Sequence, residues 1–324
     1  MSEESSAAVR SAPAEPWERK ALVDLANGAL KEQRAARRWG MAFKFLFLVY
    51  LAAIAVLYTP SIWPEAPSSD AHTALVNLNG VIKPGGEVDA DVIVTGLRAA
   101  FKDEGTKGVV LRINSPGGSP VQSAYISNEI TRLRMKYPDV PLYAVIQDVA
   151  ASGGYYVAVA ADAIYANESS LVGSVGVLMN GFGFPALMEK IGVERRLHIA
   201  GDRKGFLDPF TPEKDADIAH IEAMLDELHQ QFIAVVKRGR GDKLQADSEA
   251  LFSGLVWSGK RGKELGLIDG FGSASYVARE VIGEETILDF TPSKGLLDRL
   301  TERLGVSMAR QLGMSLGLEG LVLR

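Results

Sequence analysis

Apolar residues recur along this chain in three rhythms, and each predicts a different kind of element. The first is an almost unbroken run from Trp39 to Tyr58, interrupted by one charge, Lys44, and preceded by Lys31, Arg34, Arg37 and Arg38. As a helix at about 1.5 Å per residue, Met41 to Tyr58 would reach roughly 27 Å, enough for a hydrocarbon core with Lys44 snorkelling to one face. The second rhythm is a set of short, β-branched runs at Thr73 to Asn79, Val109 to Ile113 and Leu142 to Ile146, which read as buried strands. Between them, Asp89 to Phe101 and Val121 to Lys136 read as helices, so the alternation predicts an α/β core with right-handed crossovers. The third is a stripe at Ile218, Ile221, Leu225, Leu228, Phe232 and Val235, close to the helical period, which predicts a core-packed helix over Pro212 to Lys237.

Weaker signals complete the outline. Ala150 to Ala161 is small-residue-rich and helix-compatible, Ala163 to Ala166 and Leu171 to Leu178 read as short strands, and Arg196 to Ile199 is strand-like. Thr286 to Phe290 is a candidate last strand and Lys294 to Leu304 a candidate short helix. The predicted organisation is a cytoplasmic tail at 1–38, a transmembrane anchor at 39–58 and a linker at 59–72. The folded α/β domain occupies 73–285, and 286–324 holds the last strand, the short helix and an apolar tail over Ser307 to Arg324, whose role the pattern does not assign.

Composition narrows the function. The net charge is −5 over 324 residues with no long basic run beyond the membrane-like segment, which argues against a nucleic-acid partner. The absence of cysteine excludes disulfides and thiolate metal sites, and nothing in the composition demands a cofactor or metal. Residues after the long apolar run, Thr59 to Pro64, offer no clear small-x-small cleavage site, so the expectation is an uncleaved anchor. Its basic flank would stay in the cytoplasm, which places the rest of the chain outside the cytoplasmic membrane. Tyr50, Tyr58 and Trp63 suit an interface.

The candidate chemistry lies where strands turn into helices. Ser152 in Asp148-Val-Ala-Ala-Ser-Gly-Gly-Tyr-Tyr156 falls at such a turn, beside the unpaired N–H groups of a helix start. Upstream, the strand Val109 to Ile113 leads into Asn114-Ser-Pro-Gly117-Gly118-Ser-Pro120, a turn whose backbone can approach a ligand closely, as an oxyanion hole requires. Two such loops in successive strand–helix units lie side by side at one sheet edge. A serine nucleophile needs a base. Of the four histidines, His72 comes just after the membrane-like segment and His220 and His229 sit in a charged, solvated-looking helical run, leaving His198 as the plausible one. Lys204, between glycines in Gly201 to Pro209, is the alternative, with Arg203 beside it able to add repulsion and Asp202 to oppose it. A lysine works as a base near neutral pH only if burial disfavours its ammonium form.

Four motifs in order, namely Asn114 to Ser119, Ala151 to Tyr156, Leu171-Val-Gly-Ser174-Val-Gly-Val177 and Gly201 to Pro209, resemble the signal peptide peptidase A family in its short, single-repeat bacterial form. The resemblance covers roughly Ala74 to Ile282. It implies a serine protease with a Ser/Lys dyad on a Clp protease/crotonase-like fold, a repeated strand–strand–helix core. Carried over by position, it makes Ser152 the nucleophile and Lys204 the general base. The backbone of Gly117 or Gly118 with Gly153 becomes the oxyanion hole, and Ser174 the residue that orients the lysine. It further implies a membrane-anchored endopeptidase acting on cleaved signal peptides and other apolar peptides, assembled as a ring in which adjacent copies share each site. Two other readings stay open on sequence: a crotonase-like acyl-CoA enzyme with a carboxylate acid/base, and a non-catalytic membrane scaffold.

Overall fold

The computed structural model describes residues 17–57, 70–245 and 250–292. The chain divides into two units, residues 1–66 and 67–324. In the first, Trp17–Leu57 is one continuous helix of 41 residues, α1, so the basic stretch and the apolar run share a single helix. Among the described residues no helix is long and apolar enough to cross a membrane. The described side chains of α1 end at Ile54, and the expected run to Tyr58, with Trp63 and the linker to residue 69, lies partly or wholly outside the described residues.

The second unit is an α/β sheet. Its elements are β1 (His72–Asn79), α2 (Ala90–Lys102), β2 (Thr106–Ser115), α3 (Pro120–Lys136), β3 (Leu142–Ala151), α4 (Gly153–Ala158), β4 (Ala163–Ala166), β5 (Leu171–Gly173), α5 (Pro185–Lys190) and α6 (Asp215–Arg240). After these come β6 (Val256–Ser258), α7 (Gly259–Glu264), β7 (Gly270–Phe271) and β8 (Ile287–Asp289). The strand order is β6-β5-β3-β2-β1-β8, with β4 pairing both β3 and β7. Every pairing is parallel except β5 with β6. The three apolar runs become the central strands because both sheet faces are covered. Ala74, Val76, Leu78, Val109, Leu111 and Ile113 pack with Ile93, Leu97, Ile126 and Ile130 of the helices. Leu75, Val110 and Val145 point the other way, onto Ala274 and Val277.

Strand β3 positions the site. Its early residues Tyr143–Val145 pair β4, whereas Val149–Ala151 pair β5, so the sheet forks along this strand. Against β2 the register jumps: Ile113 faces Ile146 but Ser115 faces Ala150. Asn114 fills the slip, its Oδ1 accepting from Val149 N–H (3.3 Å) and its Nδ2 donating to Asp148 (3.2 Å). Such a bulge bends the strand and re-aims the residues beyond it.

Four expectations are corrected. Residues Ala150 and Ala151 finish β3 instead of opening a helix, leaving α4 only six residues long, because Val149 to Ala151 gain a parallel partner in β5. That strand stops at Gly173, where Gly173 and Ser174 both take positive φ (100° and 53°) and break the extended run. Arg196 to Ile199 forms no strand; it is exposed and has no neighbour to pair with among the described residues. Of the α6 stripe only Phe232 is buried in the core, with Val235 packed against it and Val236, outside the stripe, buried beside them, since the first half of the helix lies against the loop of residues 195–214. The expected helix at Lys294 to Leu304 lies outside the described residues.

Two ionic clusters secure the layers. Buried Arg240, at the end of α6, donates to the Gly266 carbonyl (2.8 Å) and pairs with Asp269 (2.7 Å), whose Oδ2 also accepts from Ile164 N–H. On the helix layer, Arg132 and Arg98 both bond Glu129, at 2.6 to 2.8 Å. The Arg132 hydrogen bonds, aided by Arg98 and opposed by burial, hold the Glu129 carboxyl down at about 2, from its ordinary 4.5. A depressed folded-state pKa adds stability that is fully present above the unfolded value and is lost as pH falls through the folded one. Glu129→Gln should therefore lose less stability than the wild type between about pH 5 and about pH 2.5 in urea titrations. Parallel losses in the two proteins would show that Glu129 does not set the acid limb.

Candidate active site

The site is built where β2 and β3 end. Ser152 directly succeeds β3 and precedes α4, with φ 52° and ψ −124°. A non-glycine residue in that region is costly and persists only where its surroundings over-determine it, as at the sharp strand–turn–helix of a serine nucleophile. Here they do. Ser152 N–H donates to Gly173 O (2.9 Å), and Ser152 O accepts from Tyr156 N–H (2.9 Å), so one bond ties the serine to β5 and the other starts the helix.

The glycine loop after β2 lies against this turn. A Cβ built on Gly117 would stand 2.7 Å from Gly153 N and 2.8 Å from Ser152 Cβ, so no side chain fits there. One built on Gly153 would overlap Ser123 Oγ and come within 3.3 Å of Gly118 N. The two glycine N–H groups are not equivalent. Gly117 N–H is taken by Ser115 Oγ (3.1 Å). Gly118 is fixed by its neighbours, with Ile82 N–H donating to Gly117 O and Ser119 N–H to Ile82 O (both 2.8 Å), and its own N–H makes no hydrogen bond among the described residues. Gly153 N–H is unpaired in the same sense. Two free backbone donors thus flank the serine.

A cavity of about 870 Å³ opens over Ser152. Gly118 and Gly153 line it, and Ser174 reaches it from the end of β5, its own N–H anchored on Leu255 O (2.8 Å). The far side is apolar, with Tyr156 and Phe232 in ring contact (centroids 5.1 Å apart) and Val177 and Leu228 beside them. No Asp or Glu is among the described residues that line it. Among the described residues, a carboxylate acid/base of the acyl-CoA type has no counterpart in this cavity. Among the described residues no group of acidic or histidine side chains is arranged to hold a metal.

The structure brings Ser152, Gly118, Gly153 and Ser174 together, and leaves Lys204 apart. Lys204 is exposed, does not line the cavity, and sits in a turn closed by its N–H on Gly201 O (3.0 Å). Arg203 is engaged with α6; it donates to the Ala216 carbonyl (3.0 Å) and lies 3.8 Å from Asp217 at the start of that helix. The loop is further held by Arg195 to Asp208 (3.1 Å) and by Phe206 against His220.

The histidines sort differently from the sequence expectation. His198 is exposed and away from the cavity. His72 is buried, bonded to the Asp70 carbonyl and near Thr106, a structural setting. His229, taken for a solvated helix residue, lines the cavity and bonds the Val175 carbonyl through Nε2 (3.1 Å). Its place three residues before the core residue Phe232 was the available signal.

Comparison with known proteins points to a family of peptidases. The signature of Peptidase family S49 matches residues 135–286. A protein described as a putative signal peptide peptidase SppA from Enterococcus faecium is 30% identical over 235 residues, which cover 70% of this chain and 67% of that protein. Protease 4 of Haemophilus influenzae is 32% identical over 207 residues, 62% of this chain and 32% of its own length. A Brucella abortus protein named as an Na(+)/H(+) antiporter NhaA is 43% identical over 243 residues. That match covers 73% of this chain but only 33% of the Brucella protein, so the chain spans about a third of that relative.

Proposed function

The chain belongs to peptidase family S49, the signal peptide peptidase A family, and from that premise we propose that it is a serine endopeptidase with Ser152 as nucleophile and Lys204 as base. The observation that carries the reading is the Ser152 turn, held at φ 52° beside the unpaired N–H groups of Gly118 and Gly153 at the mouth of a largely apolar cavity.

In this mechanism neutral Lys204, supplied by a neighbouring copy, takes the proton of Ser152 as Oγ bonds to the peptide carbonyl carbon. The carbonyl oxygen becomes an anion held by Gly118 and Gly153 N–H. Gly118 is preferred to Gly117 because the Gly117 donor is already used by Ser115. A donor of this type contributes about 3 kcal/mol to the transition state. Collapse breaks the C–N bond, and the leaving amine takes the proton back from the lysine ammonium. Water, deprotonated by the same lysine, then cleaves the Ser152 ester and restores both groups. Ser174 orients the lysine at the cavity edge.

The substrates we propose are signal peptides and similar apolar segments, which match the Tyr156, Val177, Leu228 and Phe232 lining. The α1 run from Met41 onward, basic on its N-terminal side, is proposed as an anchor in the bacterial cytoplasmic membrane, with the sheet unit on the extracytoplasmic side. A serine-reactive acylating probe tests the reading. It should label the wild type at Ser152 and leave Ser152→Ala unlabelled, and a peptide library should be cut fastest after small or apolar residues. Labelling that survives Ser152→Ala, or a marked preference for Lys or Asp before the cut, would reject it.

A further inference from the structure

Beyond β5 the chain leaves the sheet with an unusual feature, a stretch of backbone beside the nucleophile that almost nothing holds. Ser174 N–H is bonded to Leu255 O and Phe184 N–H to Pro209 O (2.7 Å), but between them no backbone N–H makes a hydrogen bond among the described residues. Yet Ser174, Gly176, Val177 and Leu178 all line the Ser152 cavity. An unpaired backbone edge is what an extended peptide needs in order to add as a strand through main-chain hydrogen bonds. Such an edge is useful only if its position is fixed.

Among the described residues one side-chain hydrogen bond fixes it. In this stretch a single carbonyl, that of Val175, accepts a described hydrogen bond, and the donor is His229 Nε2 (3.1 Å). Because a carbonyl only accepts, Nε2 must carry the proton. The donor is itself rigidly mounted: His229 lies on α6 one turn before Phe232, which is buried and packs its ring on Tyr156 of α4. The Val175 side chain, buried in the core cluster, secures the segment as well.

We propose that His229 is a positioning residue for substrate binding: by clamping the Val175 carbonyl to α6 it sets the 174–178 edge at the distance from Ser152 that an extended peptide requires. It acts on how tightly the peptide binds and takes no part in proton transfer. The proposal rests on Ser152 being the nucleophile, but its test is arranged to be independent of that.

The binding of a fluorescent apolar peptide, followed by anisotropy, is compared in Ser152→Ala, Ser152→Ala/His229→Ala and Ser152→Ala/His229→Gln full-length proteins. The steady-state constants of His229→Ala and His229→Gln are measured in parallel. Loss of one hydrogen bond of ordinary strength predicts about a tenfold rise in Kd and KM for His229→Ala, with kcat within about threefold. Glutamine keeps an N–H donor at similar reach, so His229→Gln should recover most of that affinity. If His229→Ala does not fold, His229→Leu, which fills comparable volume without a donor, replaces it under the same criteria. Unchanged peptide affinity in the donor-free variant overturns the proposal. So does a collapse of kcat in both variants, which would make the imidazole a proton carrier. A wild type without hydrolysis would count against the peptidase reading, while the binding series would still decide the role of His229.

Discussion

Ser152→Ala and Lys204→Ala are each expected to lower kcat by at least about 10⁴-fold, the scale on which removing one member of a nucleophile–base unit acts. Both proteins should remain folded. Alanine keeps the Cβ of Ser152, so the φ 52° turn costs no more than it already does, and both backbone bonds of the residue survive. Lys204 is exposed, and its backbone turn does not depend on the side chain. Melting curves within a few degrees of the wild type, together with loss of peptide hydrolysis, are the expected pair of results. A purified variant with kcat within about tenfold of wild type would remove that residue from the mechanism.

Mixing the two inactive variants should restore activity. Within one chain Ser152 lies in the cavity and Lys204 outside it, in a loop fastened to the start of α6 by Arg203. A lone chain also gives that lysine no burial. Nearby apolar side chains are left in solvent: Leu178 is 78% and Phe182 82% exposed, and Leu187, Ile191 and Phe206 are exposed with them. Apolar exposure on this scale fits coverage by another copy. If each site pairs Ser152 of one copy with Lys204 of the next, equal mixing with free subunit exchange makes roughly a quarter of the junctions complete. Hydrolysis should therefore rise from near zero toward roughly a quarter of wild type. Exchange demonstrated by a label, with no recovered hydrolysis, would place both residues in one chain and leave the dyad assignment intact.

Such a device was only partly readable from the sequence. Strands β1 to β3 and helices α2 and α3 were legible because burial on both sheet faces and on one helix face leaves periodic apolar residues that no other arrangement satisfies. The glycines at 117 and 118 were legible as a close approach, and the packing of the Gly117 loop on the Ser152 turn accounts for them and for Gly153. Where pairing decided the outcome, local pattern misled. Ala150 and Ala151 look helical alone, yet they are strand because β5 lies alongside. Arg196 to Ile199 looks like a strand and has none to join among the described residues. His229 shows in the sequence as a polar residue in a charged helix, with its place one turn before Phe232 as the one hint, and the cavity it lines is assembled from α3, α4, α6 and the segment after β5.

The sequence by itself therefore determined the parallel core, the serine at a strand end and the glycine loop beside it, because each is recorded in short-range patterns that local sterics and burial impose. It did not determine which glycine presents a free N–H. That depends on Ser115 Oγ engaging Gly117 and on Ile82 holding the loop on both sides of Gly118. Nor did it determine that Ser152 and Lys204 stand apart in one chain, or that His229 ties down the unpaired edge. Those facts depend on contacts between separate segments of the chain, Val175 with His229 and Arg203 with α6 among them. Only the folded chain creates such contacts, since no local propensity encodes the distance between two loops.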